Sequence, residues 1–300
     1  MGLIIAVLTA FLVLHPHPAQ SAGIVYGNPS PATAYAHSGA LVIAGENNYQ
    51  SPVFKRISKA GGTVLIYLDS VLRNDSGRYA RLLYDRSVCG RAIPRWPGLP
   101  RANGYGYVAD FAVGAGEPAK LRCVLRMMVR ENHYMGGFFA DDLGSRSWYP
   151  GFSWSRFPAK TAWRRGAIAL AKTFREVANE HHLIVIVNGT WAGGSLATAG
   201  GGYPVTSRSG LSLADGGMVE HHDGQIRYFA PYACSRQWAT ASPVTHGVAF
   251  NYAVMATRAG VREYARSGCF AFVNYQPTSL YGYAPPTLPF HRTGLPSHTS

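Results

Sequence analysis

Only fifteen of the 300 residues are acidic, and five of them stand where short apolar runs end. Asp141 and Asp142 close Met135–Gly144, MGGFFADDLG, in which two glycines lead into two aromatics, an alanine and then two carboxylates. Glu46 follows Ala40–Ala44, Asp69 follows Thr63–Leu68, and Glu220 follows Gly217–Val219. An apolar run ending in an acid reads as a buried strand that delivers charge to a surface. In a parallel α/β protein that surface is the carboxyl end of the sheet, where ligands bind. Asn188, Asn251, Asn274 and Gln276 end other runs in the same manner and would add neutral hydrogen-bonding groups. Aromatics follow close by: Trp148, Trp191 and Tyr275. Acids, amides and aromatics around one mouth suit a sugar, whose faces stack on rings and whose hydroxyls bond to carboxylates and amides. Glycoside cleavage needs two carboxyl groups flanking the bond, with pKa values split by their surroundings. Asp141, Asp142 and Glu220 are the candidates for that pair. Asp69, Glu46, Asn188, Trp148, Trp191, Asn251, Asn274 and Tyr275 are candidates for substrate binding.

The elements that must position these residues follow a repeating order. Strands are expected at Ile24–Gly27, Ala40–Ala44, Thr63–Leu68, within MGGFFADD, at Leu183–Val187, Gly217–Val219, Val248–Phe250 and Phe270–Val273. A basic amphipathic helix, Gln50–Ala60, ends at Gly61-Gly62, a C-cap signal. Glu117–Glu131 carries Leu121, Val124, Leu125 and Met128 on one face, with Arg122, Arg126 and Arg130 on the other. The longest helix opens near Pro158 and runs to about His182, its buried stripe being Ala167, Leu170, Ala171, Phe174, Val177 and Ala178. Further helices are expected in Pro231–Thr240 and Arg258–Arg266. Residues 70–115, with three prolines and Asp110, interrupt the rhythm, as functional insertions do. Eight strand-like runs mostly separated by helices predict an α/β chain folded as a single-domain (β/α)8 TIM barrel. A flat doubly wound sheet is disfavoured because no Gly-rich dinucleotide fingerprint follows the first strand.

The formal net charge is +13, but the basic residues are scattered without a recognition-helix or zinc-finger pattern. That argues against nucleic acid as a partner and for a solvated basic surface or an acidic polymer. Leu3–Leu14 is an apolar run too short to span a bilayer, followed by Ala19, Ser21 and Ala22 for cleavage. Residues 1–22 therefore read as a signal peptide, 23–284 as the barrel and 285–300 as a Pro-rich tail. The expected location is secreted or extracytoplasmic, with no stable membrane span. Cys89, Cys123, Cys234 and Cys269 contain no CxxC, and three pairings are open. Cys89 and Cys234, both in loops after strands, are the first pair to examine. No HxxxH or HExxH occurs, so neither a metal nor a cofactor is expected.

The run VADFAVGAGEPAKLRCVLRMMVRENHYMGGFFADDLG, with the later IVIVNG and GGMVEHHDG, resembles a pattern of barrel-type glycoside hydrolases. The chain is similar to the hypothetical glycosyl hydrolase family fifteen and to endo-α-1,4-polygalactosaminidase-like barrels, and more distantly to α-galactosidase-type barrels. The likeness covers roughly Thr63 to Asp223. Gly136-Gly137 stands where Asp-Gly is usual. The resemblance implies a secreted hydrolase of polysaccharide or oligosaccharide, with the strand-four Asp141 as nucleophile and the strand-six Glu220 as general acid/base. Asp142 competes for the first role, since strand neighbours face opposite sides. Asp69 and Asn188 would bind hydroxyls.

Two rival readings stand beside this one. FADDLG resembles the TFDDG motif of metal-dependent polysaccharide deacetylases, but the downstream His pair four apart is absent. The missing aspartate before Gly137 favours a non-catalytic carbohydrate-binding or cell-wall-associated barrel protein.

Overall fold

The structure, a computed structural model, describes residues 21–25, 29–36, 40–70, 72–73, 77–93, 107–109, 117–141, 160–188, 214–220, 223–227, 252–255, 257–267 and 269–273. Among them, eight strands form one sheet in the order β1 (Ser21–Val25), β2 (Ala40–Ala44), β3 (Thr63–Asp69), β6 (Gly137–Asp141), β7 (Ile184–Asn188), β8 (Gly216–Glu220), β9 (Tyr252–Met255) and β10 (Phe270–Val273). Every pairing between neighbouring strands of this sheet is parallel, and the strands stand in chain order. A parallel connection needs a crossover, and among the described residues α-helices lie in several such connections. They are α1 (Pro52–Lys59), α3 (Glu117–Glu131), α4 (Lys160–Glu180) and α5 (Arg258–Arg266). A separate two-stranded antiparallel piece, β4 (Leu72–Arg73) with β5 (Tyr107–Val108), and the short helix α2 (Arg78–Tyr84) belong to the insertion after β3. The sheet curls in the manner of a TIM-barrel-like fold.

The helices form where apolar spacing and end signals agree. Leu121, Val124, Leu125 and Met128 of α3 are buried, as are Leu170, Ala171, Phe174, Val177 and Ala178 of α4. Between these two helices, Arg122 pairs with Glu176 and Arg126 with Glu180. Such exposed pairs are screened by solvent and add little to stability. Ser51 precedes Pro52 at the start of α1, and Gly61, at φ +87°, ends it. There the Gly62 N–H reaches the Ile57 carbonyl and the Gly61 N–H reaches that of Ser58, a Schellman closure. The same closure ends α4, with Leu183 N–H on Ala178 and His182 N–H on Asn179, but a histidine at φ +55° takes glycine's place. His182→Gly should stabilise the protein by about 0.5–1 kcal/mol by relieving the left-handed backbone, read as a higher urea midpoint.

Gly137 answers to a close approach. A Cβ there would lie 2.1 Å from the Ile184 carbonyl oxygen on β7. At Gly136 a Cβ would lie 2.6 Å from Thr63 Cγ2, so the threonine fills the space that a side chain at 136 would take.

Two expectations are corrected. The seventh strand is described at Tyr252–Met255, while Val248–Phe250, where it was expected, lies outside the described residues. Asn251, outside the described residues, therefore precedes that strand in sequence instead of closing it. The reason is composition: VAF and YAVM are apolar β-formers on either side of one asparagine, and only pairing chooses between them. The expected Cys89–Cys234 pair also fails, because Cys89 is bonded to Cys123 on α3. Cys269 is disulfide-bonded too, while Cys234 lies outside the described residues. Other strand and helix expectations fall within about three residues of the observed bounds. The Pro231–Thr240 helix, Asp110, residues 1–20 and the tail after 284 lie outside the described residues. No helix among the described residues is long and apolar enough to cross a membrane.

Candidate active site

Alternation along β3 and β6 decides which side chains share a face. Tyr67 is opposite Phe139 and Asp69 opposite Asp141, so these four lie on one face of the sheet. On the other face Phe138 meets Phe174 of α4 edge to face, with ring centroids 5.7 Å apart. The helix-covered face is thus that of Phe138, and the Tyr67–Asp69–Phe139–Asp141 face is the concave one. Tyr67 and Phe139 stack there at 5.9 Å between centroids.

Asp69 and Asp141 are the last residues of β3 and β6, facing each other across the ladder. Asp69 is buried and Asp141 half-buried. The Tyr67 hydroxyl donates to Asp141 Oδ2 at 2.7 Å, and the Ser70 N–H donates to the Asp141 carbonyl at 2.9 Å. One residue beyond the last β6–β7 pair, Ala140 with Val187, come Asp141 and Asn188. Asn188 pairs with Met218 on β8, and Glu220 lies two residues past Met218 on the same register face. Glu220 thus stands at the carboxyl end of β8, with one strand between it and Asp141. At the spacing of neighbouring strands, β6 and β8 are about 10 Å apart. Asp69, Asp141, Asn188 and Glu220 therefore occupy one rim and one register face. Asp142, Trp148, Trp191, Asn251, Asn274 and Tyr275 lie outside the described residues.

Glu46 is engaged differently. Its Oε2 accepts the backbone N–H of Tyr79 at 2.7 Å, near the start of α2, and the neighbouring Asn47 accepts that of Arg78. A carboxylate here answers the helix's unpaired N–H groups. A Cβ on Gly77 would collide with the Glu46 carboxyl, which explains glycine at the helix's N-cap. Burial nevertheless pushes the Glu46 pKa up to about 7, against the lowering effect of the Tyr79 and Ala80 N–H groups and the Arg81 charge. Tyr79 is fully buried beside it. Burial raises the Tyr79 phenol well above its ordinary value, and the charges of Glu46 and Asp69 add to the rise.

An acid whose folded pKa exceeds its unfolded one binds more protons when folded, so it costs stability as pH rises. For Glu46 the window runs from about 4.5 to about 7. Wild-type stability should fall through that window by up to about 3 kcal/mol relative to Glu46→Gln, which keeps an acceptor for Tyr79. Urea unfolding of both proteins at pH 5 and pH 8 checks this. Equal pH slopes would refute it.

Two polar clusters escaped sequence reasoning. Asp215, just before β8, is fully buried and binds Arg175 Nη1 and the Val185 N–H, each at 2.7 Å. Arg175 Nη2 also holds the Leu183 carbonyl at 2.9 Å. Lys120 of α3, almost wholly buried, donates to the carbonyls of Asp85, Val88 and Gly90, beside the Cys89–Cys123 bond. Tyr67 was missed as well. Its one signal was the Tyr-x-Asp spacing that puts it on the face of Asp69.

No family model matches the chain, and no curated protein matches it in sequence. Among solved structures, Aspergillus fumigatus Ega3 in complex with galactosamine aligns over 92% of this chain and 97% of its own, with 10% identity and a TM-score of 0.52. The chain has a TIM-barrel-like fold. The glycoside hydrolase domain of PelA from Pseudomonas aeruginosa aligns over 87% of this chain and 96% of its own, at 16% identity and a TM-score of 0.49. An α-galactosidase from Thermus thermophilus aligns over 71% of this chain and 45% of its own, at 13% identity and a TM-score of 0.40. The fold statement rests on the Ega3 likeness. At these identities it concerns the arrangement of the chain and not its activity.

Proposed function

We propose that this protein is a secreted glycoside hydrolase of a polysaccharide, built on a closed (β/α)8 barrel preceded by an N-terminal leader. The substrate class suggested by the galactosamine complex of Ega3 is a polymer containing amino sugars. What carries the reading is the common rim: Asp141 aligned with Asp69, and Glu220 at the same end of the sheet, on the same register face, one strand removed.

In this reading Asp141 attacks the anomeric carbon while the carboxylic acid of Glu220 gives its proton to the leaving oxygen. The glycosidic bond breaks, its electron pair goes to that oxygen, and a glycosyl–Asp141 ester forms. Glu220, now ionised, takes a proton from water, whose oxygen displaces Asp141 with net retention. Asp142 is the competitor for the nucleophile. Asp69 and Asn188 would hold sugar hydroxyls or an amine, and Trp148, Trp191 and Tyr275 would stack on ring faces. Asn274 and Asn251 remain binding candidates, the latter with the weaker case, since it precedes its strand. Glu46 is the weakest candidate, because its carboxyl already caps α2.

The test is hydrolysis of partly de-N-acetylated polygalactosamine, set beside chitosan and a neutral polymer, by the purified protein, Asp141→Asn and Glu220→Gln. Release of reducing ends by the wild type alone supports the assignment, and the anomer first formed, read by NMR, tests retention. Binding of polymer without cleavage would instead favour the non-catalytic carbohydrate-binding reading. Gly136, where related barrels carry aspartate, is the observation on that side.

A further inference from the structure

We propose that Tyr67 is a positioning residue for Asp141, holding the nucleophile's carboxylate in the orientation used for attack; this rests on the hydrolase reading above. The ladder fixes the backbone of Asp141, with the Ser70 N–H on its carbonyl, but not the two side-chain torsions beyond it. Those torsions need a rigid donor at a set place. Tyr67 is one, because its backbone is locked in the centre of β3 and its ring is stacked on Phe139. Its hydroxyl donates to Asp141 Oδ2 at 2.7 Å, the ordinary length of a well-formed O–H···O hydrogen bond. The donor, the stacked ring and the acid all stand on the concave face, so the contact lies beside the reacting centre and not among the helices.

The consequence concerns both halves of the reaction. During attack, a fixed Oδ2 sets the plane in which the carboxylate meets the anomeric carbon. When water displaces the sugar, the electron pair of the breaking ester bond returns to the Asp141 carboxylate, and the same O–H donates to it. Tyr67 itself gains and loses no proton in either step.

The test is Tyr67→Phe, which keeps the ring and its stacking and deletes only the hydroxyl. On partly de-N-acetylated polygalactosamine, kcat should fall roughly tenfold to a hundredfold while KM stays within about twofold. A purely structural role would lower the melting temperature and the active fraction without that split. Unchanged kcat, or a loss confined to KM, overturns the proposal. Crystal structures of both proteins supply a readout independent of turnover. The Asp141 carboxylate should keep one orientation in the wild type and turn, or split into two, in the variant. An unmoved carboxylate overturns the proposal even if kinetics change. If the wild type cleaves no polymer, it is the hydrolase reading that fails, and the crystallographic comparison still decides whether Tyr67 orients Asp141.

Discussion

Asp141→Asn should lower turnover by a factor on the order of 10⁴ or more while leaving the protein folded. The amide is a poor nucleophile and carries no charge to stabilise a developing cation, so the step it would perform has no substitute. The fold should be indifferent to the change. The asparagine carbonyl can accept the Tyr67 hydroxyl as Asp141 Oδ2 does, and the Ser70 bond is to the backbone. The melting temperature should therefore stay within about 2 °C, a shift of roughly 1 kcal/mol. Full activity in this variant would move the nucleophile to Asp142 or dismiss a carboxylate mechanism. The matching change Asp142→Asn separates those two outcomes.

The second large effect is on stability. Asp215→Ala should destabilise the protein by about 3–5 kcal/mol, because it strands the buried Arg175 guanidinium without its counter-charge. The Val185 N–H loses its Asp215 acceptor at the same moment, and Arg175 Nε already has no partner among the described residues. A fall of about 10 °C in melting temperature is expected for a chain of this size. Replacing both members, Arg175→Met with Asp215→Leu, should recover part of that loss but not all of it. The orphaned Val185 N–H would still cost about 1–3 kcal/mol. A double variant no better than the single one would mean that the ion pair itself matters little.

How much of this was legible in the amino-acid sequence follows from which forces are local. The α3 and α4 stripes could be read because a 3.6-residue period is written in neighbouring residues. The end of α1 was legible because Gly61-Gly62 is a local backbone signal. The placing of Asp69, Asp141 and Glu220 at strand ends came from the same kind of local reading, apolar runs closed by acids. Register was not local. Nothing in YLDS or FFAD says that Asp69 faces Asp141, or that Tyr67 comes within 2.7 Å of it. The same holds for Asp215: nothing in its neighbourhood names its partner, which lies forty residues back on α4. Glu46 shows the converse. Its position after β2 suggested ligand binding, whereas the start of α2, thirty-odd residues on, takes up its carboxyl.

The Cys89–Cys123 bond ties the insertion after β3 to the helix that leads into β6. By loop-closure entropy, a link across 34 residues is worth about 4 kcal/mol. It also changes what a protease can do. Trypsin cutting after Arg91, Arg95 or Arg101 would sever the chain without parting its halves. Such a molecule would migrate as intact on a non-reducing gel, and a reductant would divide it into two fragments, only one of which carries Asp141 and Glu220. Material recovered from protease-rich medium can thus pass as whole while already nicked, so its integrity has to be judged after reduction.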